Sequence, residues 1–148
     1  MSKASAIPYE TTLLVRDACL CLHVQRAARA LARRFDDALR PAGLTNGQFS
    51  LMMSLNRHKA ASLGAVASLL ALDRTTLTAA VKLLERRGLV KVSIDADDRR
   101  ARLLALTAAG RAALAKALPI WKREHALVEA ALTSGGPDRL RRDLNDLN

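Results

Sequence analysis

From Glu10 to Leu39 the apolar positions return at helical spacing. Leu20, Val24, Ala27, Ala28, Leu31, Phe35 and Ala38 form one stripe, and Arg26, Arg29, Arg33, Asp36 and Arg40 fall on the other side. The pattern predicts one helix of about 30 residues, longer than a single core in a chain of this size requires. It ends at Pro41 and Gly43 and is expected to reach a second subunit. Residues 1–9 carry Pro8 and no period, which predicts a flexible arm.

Thr45-Asn46-Gly47-Gln48 has the form of a capping box and opens a helix from Gln48 to about Arg57. Ser62 caps the next, whose inner face is Leu63, Val66, Ala67 and Leu70, and Ala71-Leu72 forms a turn. Asp73 caps a further helix that stops at Gly88. Leu77, Ala80, Val81 and Leu84 share its inner face, while Thr75, Thr78, Ala79, Lys82 and Arg86 share the opposite one. The period then changes to two: Val90, Val92 and Ile94 alternate with Lys91 and Ser93 as in a half-buried strand. A second strand carries Leu103 and Leu104, and the turn between them is Asp95-Ala96-Asp97-Asp98-Arg99-Arg100.

After Gly110 a second long helix is expected to about Thr133. Leu114, Leu118, Trp121, His125, Val128 and Leu132 recur at spacings of four and three, a seam for another helix, which Pro119 interrupts and should bend. Ser134-Gly135-Gly136-Pro137 is a break, and Asp138 caps a last short helix bearing Leu140, Leu144 and Leu147.

Helix, turn, helix and two strands is the winged helix-turn-helix order, so the fold class is mainly α with a small β-wing. The outer face of the 73–88 helix is short, hydroxylated and basic, suited to a DNA major groove where Thr and Lys meet base edges and phosphates. A hairpin tip with two adjacent arginines suits the negative potential of a narrow minor groove. The net charge of +10 agrees, since it implies a polyanionic partner, nucleic acid before an anionic membrane surface. Half the residues are hydrophobic yet only 3% are aromatic, so the core should be Leu, Ala and Val from helices packed on helices.

No apolar run approaches the roughly 20 residues of a membrane span, and the N-terminus lacks an apolar signal core. The expectation is a cytoplasmic protein with free thiols and no membrane partner. On one continuous helix Cys19 and Cys21 would point roughly 200° apart and could not pair. No phosphate loop, zinc helix or Cys-x-x-Cys occurs, so no catalytic residue and no cofactor is expected. The wing carboxylates are explained by ion pairing with their arginines. His23, His58 and His125 are too dispersed to predict a metal site.

LDRTTLTAAVKLLERRGLV followed by DADDRRARLLALTAAGR resembles the recognition helix and wing of the MarR (multiple antibiotic resistance regulator) family. The resemblance continues upstream through Leu44-Thr45-x-x-Gln48-Phe49. It implies one MarR-like domain over 1–148: a winged helix-turn-helix part over 45–106, with dimerisation helices over 10–41 and 107–148. It further implies a homodimeric repressor on a palindromic operator in double-stranded DNA, released by a small-molecule effector or by thiol oxidation. The DNA-contacting residues would be Arg74, Thr75, Thr76, Thr78, Lys82 and Arg86 in the helix and Arg99 and Arg100 in the wing. Asp97 or Asp98 would orient the Arg99 guanidinium. Cys21 matches the reactive cysteine of the family's organic-hydroperoxide-sensing branch, although Gln25 and Phe35 stand where that branch has tyrosines. Arg16, His23 and Phe49 could face an effector pocket between the first long helix and the winged part. Two other functions fit the same residues: a sequence-independent nucleoid-type DNA-binding protein, and a thiol-based redox enzyme using Cys21.

Overall fold

The computed structural model describes residues 6–148; residues 1–5 of the expected arm lie outside the described residues, and Ala6–Pro8 have no regular structure. The single helix expected over Glu10–Leu39 is two, α1 (Tyr9–Ala18) and α2 (Leu20–Leu39). Cys19 makes the break. Its backbone is extended (φ −71°, ψ 106°) while its N–H still closes α1 on the Val15 carbonyl. Its Sγ accepts the Leu22 N–H at 3.4 Å, and its carbonyl accepts the His23 N–H at 3.1 Å. A short polar side chain that satisfies the free N–H groups of the next helix competes with helix continuation, and here a thiol takes that part. The 200° separation of Cys19 and Cys21 therefore does not apply, because they do not share one regular helix.

The described chain divides between Arg34 and Phe35 into two compact units, so the boundary falls inside α2. In the second unit a 3-10 turn (Arg40–Ala42) follows α2, then α3 (Asn46–Ser54), β1 (Ala61–Ser62), α4 (Leu63–Leu70) and α5 (Arg74–Arg86). β2 (Val90–Ile94), β3 (Arg102–Leu106), α6 (Ala108–Ala130) and α7 (Gly136–Asn145) complete it. The capping box of α3 forms as read, with Gln48 N–H on Thr45 Oγ1 and Thr45 N–H on Gln48 Oε1. Ser62 and Asp73 cap α4 and α5 through Ala65 N–H and Thr76 N–H.

The sheet has three strands rather than two, in the order β1-β3-β2, with Ala61 opposite Leu104 and Val92 opposite Leu104 on the other side. β1 is two residues of Ala and Ser, too short for a period and of low strand propensity. The exposed edge of β3 is what makes it a strand.

The core is built from α2's last turn, α3, α4, α5, the sheet and α6, with Leu39, Leu51, Met52, Val66, Leu77, Leu84 and Leu104 fully buried. The expected seam of α6 is covered in its first half by the chain itself. Leu114 and Ala117 are buried, Leu118, Trp121 and Val128 pack on the core, and Trp121 stacks on Phe49 of α3 at 5.9 Å. Spacing marks an apolar face but does not say which helix covers it. Pro119 does not interrupt α6, which runs unbroken from Ala108 to Ala130.

α7 starts differently from the reading as well. Its N-cap is Gly135 in the left-handed region, with no side-chain cap, and Asp138 sits inside the first turn. There Asp138 meets Arg141, which also reaches Glu129 of α6, both at 2.6 Å. The Arg141 guanidinium holds both carboxyls below their ordinary values.

A Cβ on Gly110 would lie 2.1 Å from the Leu89 carbonyl oxygen and 3.1 Å from its carbon, backbone that cannot swing aside. Gly110→Ala should destabilise the fold by about 3 kcal/mol, the upper part of the overpacking range, read as a lower urea midpoint; an unchanged midpoint would show that α6 does not sit this close.

The Asp73 carboxyl is held below its ordinary value of 3.8, first by the Thr76 hydroxyl and then by the Thr76 backbone N–H. A depressed folded pKa contributes stability that is present above the unfolded value and lost as pH falls through the folded one. The stability difference between wild type and Asp73→Asn should therefore shrink as pH is taken from neutral to below 3.8. Parallel denaturation curves across that span test this, and a difference that stays constant refutes it.

Candidate nucleic-acid interface

α5 is held from one side only. Leu77, at 0% exposure, together with Val81 and Leu84 sinks into the core, and Ala80 packs beside them. Its end is a double hydrogen-bonded stop: Gly88 N–H reaches the Glu85 carbonyl and Leu89 N–H the Leu84 carbonyl, with Gly88 left-handed at φ 71°. Ahead of it α4 stops in the same way through Ala71, the one non-glycine residue with positive φ (50°) among the described residues. That conformation costs an alanine about 1–2 kcal/mol, and the helix–turn–helix angle holds it there.

The face left outside carries Arg74, Thr75, Thr78, Ala79 and Lys82, which line one shallow open groove, with Arg86 exposed one turn further on. Two hydroxyls of the helix are already committed as donors. Thr78, half-buried, donates to the Arg74 carbonyl at 2.7 Å, and Thr76 donates to Asp73 Oδ2 at 2.6 Å. Each keeps lone pairs to accept from a base amino group, and a methyl for a thymine. Arg86 Nε lies on the Lys82 carbonyl at 3.4 Å.

In the hairpin the stripe of Val90, Val92 and Ile94 runs out of the core. Val90 is buried, Val92 is half-buried, and Ile94 is 54% exposed, so the last ladder pair, Ile94 with Arg102, stands beyond the packed layer. Leu104 and Leu106 are the residues of β3 that face inward. At the tip Ala101 N–H closes on the Asp98 carbonyl at 2.9 Å, which puts Arg99 and Arg100 at the two central positions of a tight turn.

The carboxylates there act on the backbone and not on the guanidiniums. Asp98 Oδ1 accepts the Arg100 N–H at 3.0 Å and Asp95 Oδ1 the Asp97 N–H at 2.9 Å. No hydrogen bond or ion pair joins the Asp97 or Asp98 carboxylate to the Arg99 guanidinium; Asp95 and Asp98 instead shape the turn that presents it. Short side chains that bond two residues along do so before any longer partner can compete. Among the described residues, no ion pair involves Arg74, Lys82, Arg86, Arg99 or Arg100, whereas pairs do form on α1, at the α2–3-10 junction and on α6 and α7. Unpaired cations on a rigid helix and a turn are free to neutralise phosphates.

The remaining predicted residues have partners of their own. Cys21 is exposed, with Gln25 Nε2 donating to its Sγ at 3.1 Å. Arg16 is held by its neighbour Asp17 at 2.6 Å, and His23 Nδ1 lies 2.8 Å from the Cys19 carbonyl. Phe49 is 5% exposed and stacked on Trp121 in the core. No group of three or more His, Cys, Asp or Glu among the described residues could hold a metal ion, and no helix there is long and apolar enough to cross a membrane. Sequence reasoning missed Arg87, whose guanidinium bonds the Gly43 carbonyl and Gln48 Oε1, because those partners are 44 and 39 positions away.

Known proteins share this arrangement. The sequence profile of the MarR family matches residues 44–101. The transcriptional activatory protein BadR of Rhodopseudomonas palustris is 34% identical over 95 residues, 62% of this chain and 54% of that protein. The match thus spans about half the length of that curated relative. Among solved structures, the M. tuberculosis transcriptional regulator MOSR in complex with DNA has a TM-score of 0.80 and 42% identity, covering 87% of this chain and 92% of that one. A mutant MarR from E. coli complexed with operator DNA also has a TM-score of 0.80, at 20% identity over 91% of this chain and 97% of that one, a likeness of fold alone. With the winged helix formed by α3 to β3, the family's sequence pattern along it, and a 42% identical relative matched over nearly its full length, this chain belongs to the MarR family.

Proposed function

We propose that this chain is a transcriptional regulator that binds double-stranded DNA as a homodimer, with α5 in the major groove and the wing tip in the adjacent minor groove. The observation that carries the reading is the pairing of two exposed cationic features on one scaffold: the outer face of α5 and the Arg99–Arg100 turn at the end of a hairpin that leaves the core. MOSR, 42% identical, is a transcriptional regulator in complex with DNA, which supports carrying the same partner to this chain.

Homodimerisation through the end helices accounts for apolar side chains that a single copy leaves in water. Leu14, Leu20 and Leu31 in the first unit, and Leu127, Leu140, Leu144 and Leu147 at the other end, are all exposed. A dimer mirrors its symmetry in a palindromic operator, and occupation of such an operator represses by blocking transcription. Arg74, Thr75, Thr76, Thr78, Lys82 and Arg86 would meet the major groove, the Thr76 and Thr78 hydroxyls as acceptors. Release is by a small-molecule effector or by oxidation of the exposed Cys21 thiol.

Selection by the protein from a random-core duplex library should recover an inverted repeat with half-sites about one helical turn apart. Recovery of no preferred sequence would favour a sequence-independent binder. On the recovered duplex, Arg99→Ala should lose about 1–3 kcal/mol, most where A·T flanks narrow the minor groove. Lys82→Ala should weaken all duplexes alike and lower the salt slope by about one counterion. Isotherms at several salt concentrations on A·T-flanked and G·C-flanked duplexes separate the two, and wild-type affinity for the A·T-flanked duplex in Arg99→Ala would remove the wing from the groove. An organic hydroperoxide should release DNA from wild type but not from Cys21→Ser; equal release from both, or from neither, would leave Cys21 without a sensing role.

A further inference from the structure

We propose that Arg87 is a positioning residue: it pins the C-terminal end of α5 to the segment ahead of α3 and so sets the angle at which the outer face of α5 meets DNA, without touching DNA itself. The proposal rests on the DNA-binding reading above. Arg87 is the C-cap of α5 (φ −79°, ψ −2°). Its guanidinium meets two acceptors, Nη2 donating to the Gly43 carbonyl at 2.7 Å and Nη1 donating to Gln48 Oε1 at 3.2 Å. The same Oε1 accepts the Thr45 N–H at 3.0 Å, and Asp36 Oδ1 accepts the Asn46 N–H at 2.6 Å. The last turn of α2, the start of α3 and the end of α5 are thereby joined through hydrogen bonds made across and within one short segment, 43–48.

The apolar face of α5 does not supply this constraint. Burial of Leu77, Val81 and Leu84 is non-directional: it decides which side of α5 faces the core but sets the final angle only loosely, whereas hydrogen bonds have preferred angles. The fork geometry matters because a backbone carbonyl and a side-chain oxygen must be met at once, which suits a planar guanidinium better than an ammonium. Arg86, next in sequence, shows the contrast: its Nε lies on Lys82 of its own helix.

The test compares wild type, Arg87→Ala and Arg87→Lys on the duplex that wild type selects from a random-core library and on a random-sequence duplex, over a range of salt concentrations. Amide hydrogen exchange is measured on the free proteins. Both variants should bind the selected duplex roughly tenfold more weakly, with the random-sequence duplex little affected and the salt slope unchanged. Both should exchange faster at residues 43–48 and in the last turn of α5. Wild-type affinity in Arg87→Lys overturns the proposal, because charge alone would then suffice. A salt slope lowered by about one counterion in Arg87→Ala overturns it too, by showing a direct phosphate contact. So does unchanged affinity, or unchanged exchange, in both variants. If wild type selects no duplex, the DNA-binding reading fails, and the exchange measurement by itself decides whether the pin exists.

Discussion

The structure depends on α5 being buried on one side only. Leu77 and Leu84 are fully buried and Val81 nearly so, and fully burying such side chains is worth about 1.5–3 kcal/mol each. That energy is spread along three turns of a 13-residue helix that would be marginal alone in water. Because the inner stripe is strictly apolar, its burial leaves Arg74, Thr75, Ala79 and Lys82 facing out. The same burial that stabilises the helix therefore exposes the surface that can meet DNA.

The end of α5 shows how tightly the wing is tied to that helix. Leu89 is buried just past Gly88, its carbonyl accepts the Thr107 N–H at 3.1 Å, and Thr107 Oγ1 donates to the Gly88 carbonyl at 2.6 Å. Thr107 also caps α6 through the Gly110 N–H. One threonine thus joins the stop of α5, the base of the hairpin and the start of α6, and the absence of a Cβ at Gly110 lets those backbones touch. The base of the wing is rigid where its tip is free. A turn shaped by Asp95 and Asp98 through the backbone, on strands that have already left the core, can present Arg99 and Arg100 without an ion pair to hold them back.

What could be read from the residues is what short-range chemistry decides. The caps at Thr45, Ser62 and Asp73, the stop at Gly88, the two faces of α5 and the alternation of β2 all depend on side chains within a few positions of each other, so spacing is enough to find them. The resemblance carried by the α5 and wing residues added the family, which the comparisons show independently.

What only the tertiary structure decided involves partners that spacing cannot name. Ala61 and Ser62 are a strand because β3 offers an edge, and Phe49 is core because Trp121 of α6 lies against it. The first half of the α6 seam is filled by the chain's own α3, a matter of which apolar face arrives and not of its period. Cys19 ends α1 because its thiol caps α2, a competition between local and helical hydrogen bonds that helix propensity alone does not resolve. Arg87 reads as one more charge in a basic run, and becomes a cross-brace only when Gly43 and Gln48 are folded to within hydrogen-bonding distance of it. Periodicity reports which side of an element is apolar; which surface covers that side, and which distant acceptor a long side chain finds, depends on the three-dimensional packing.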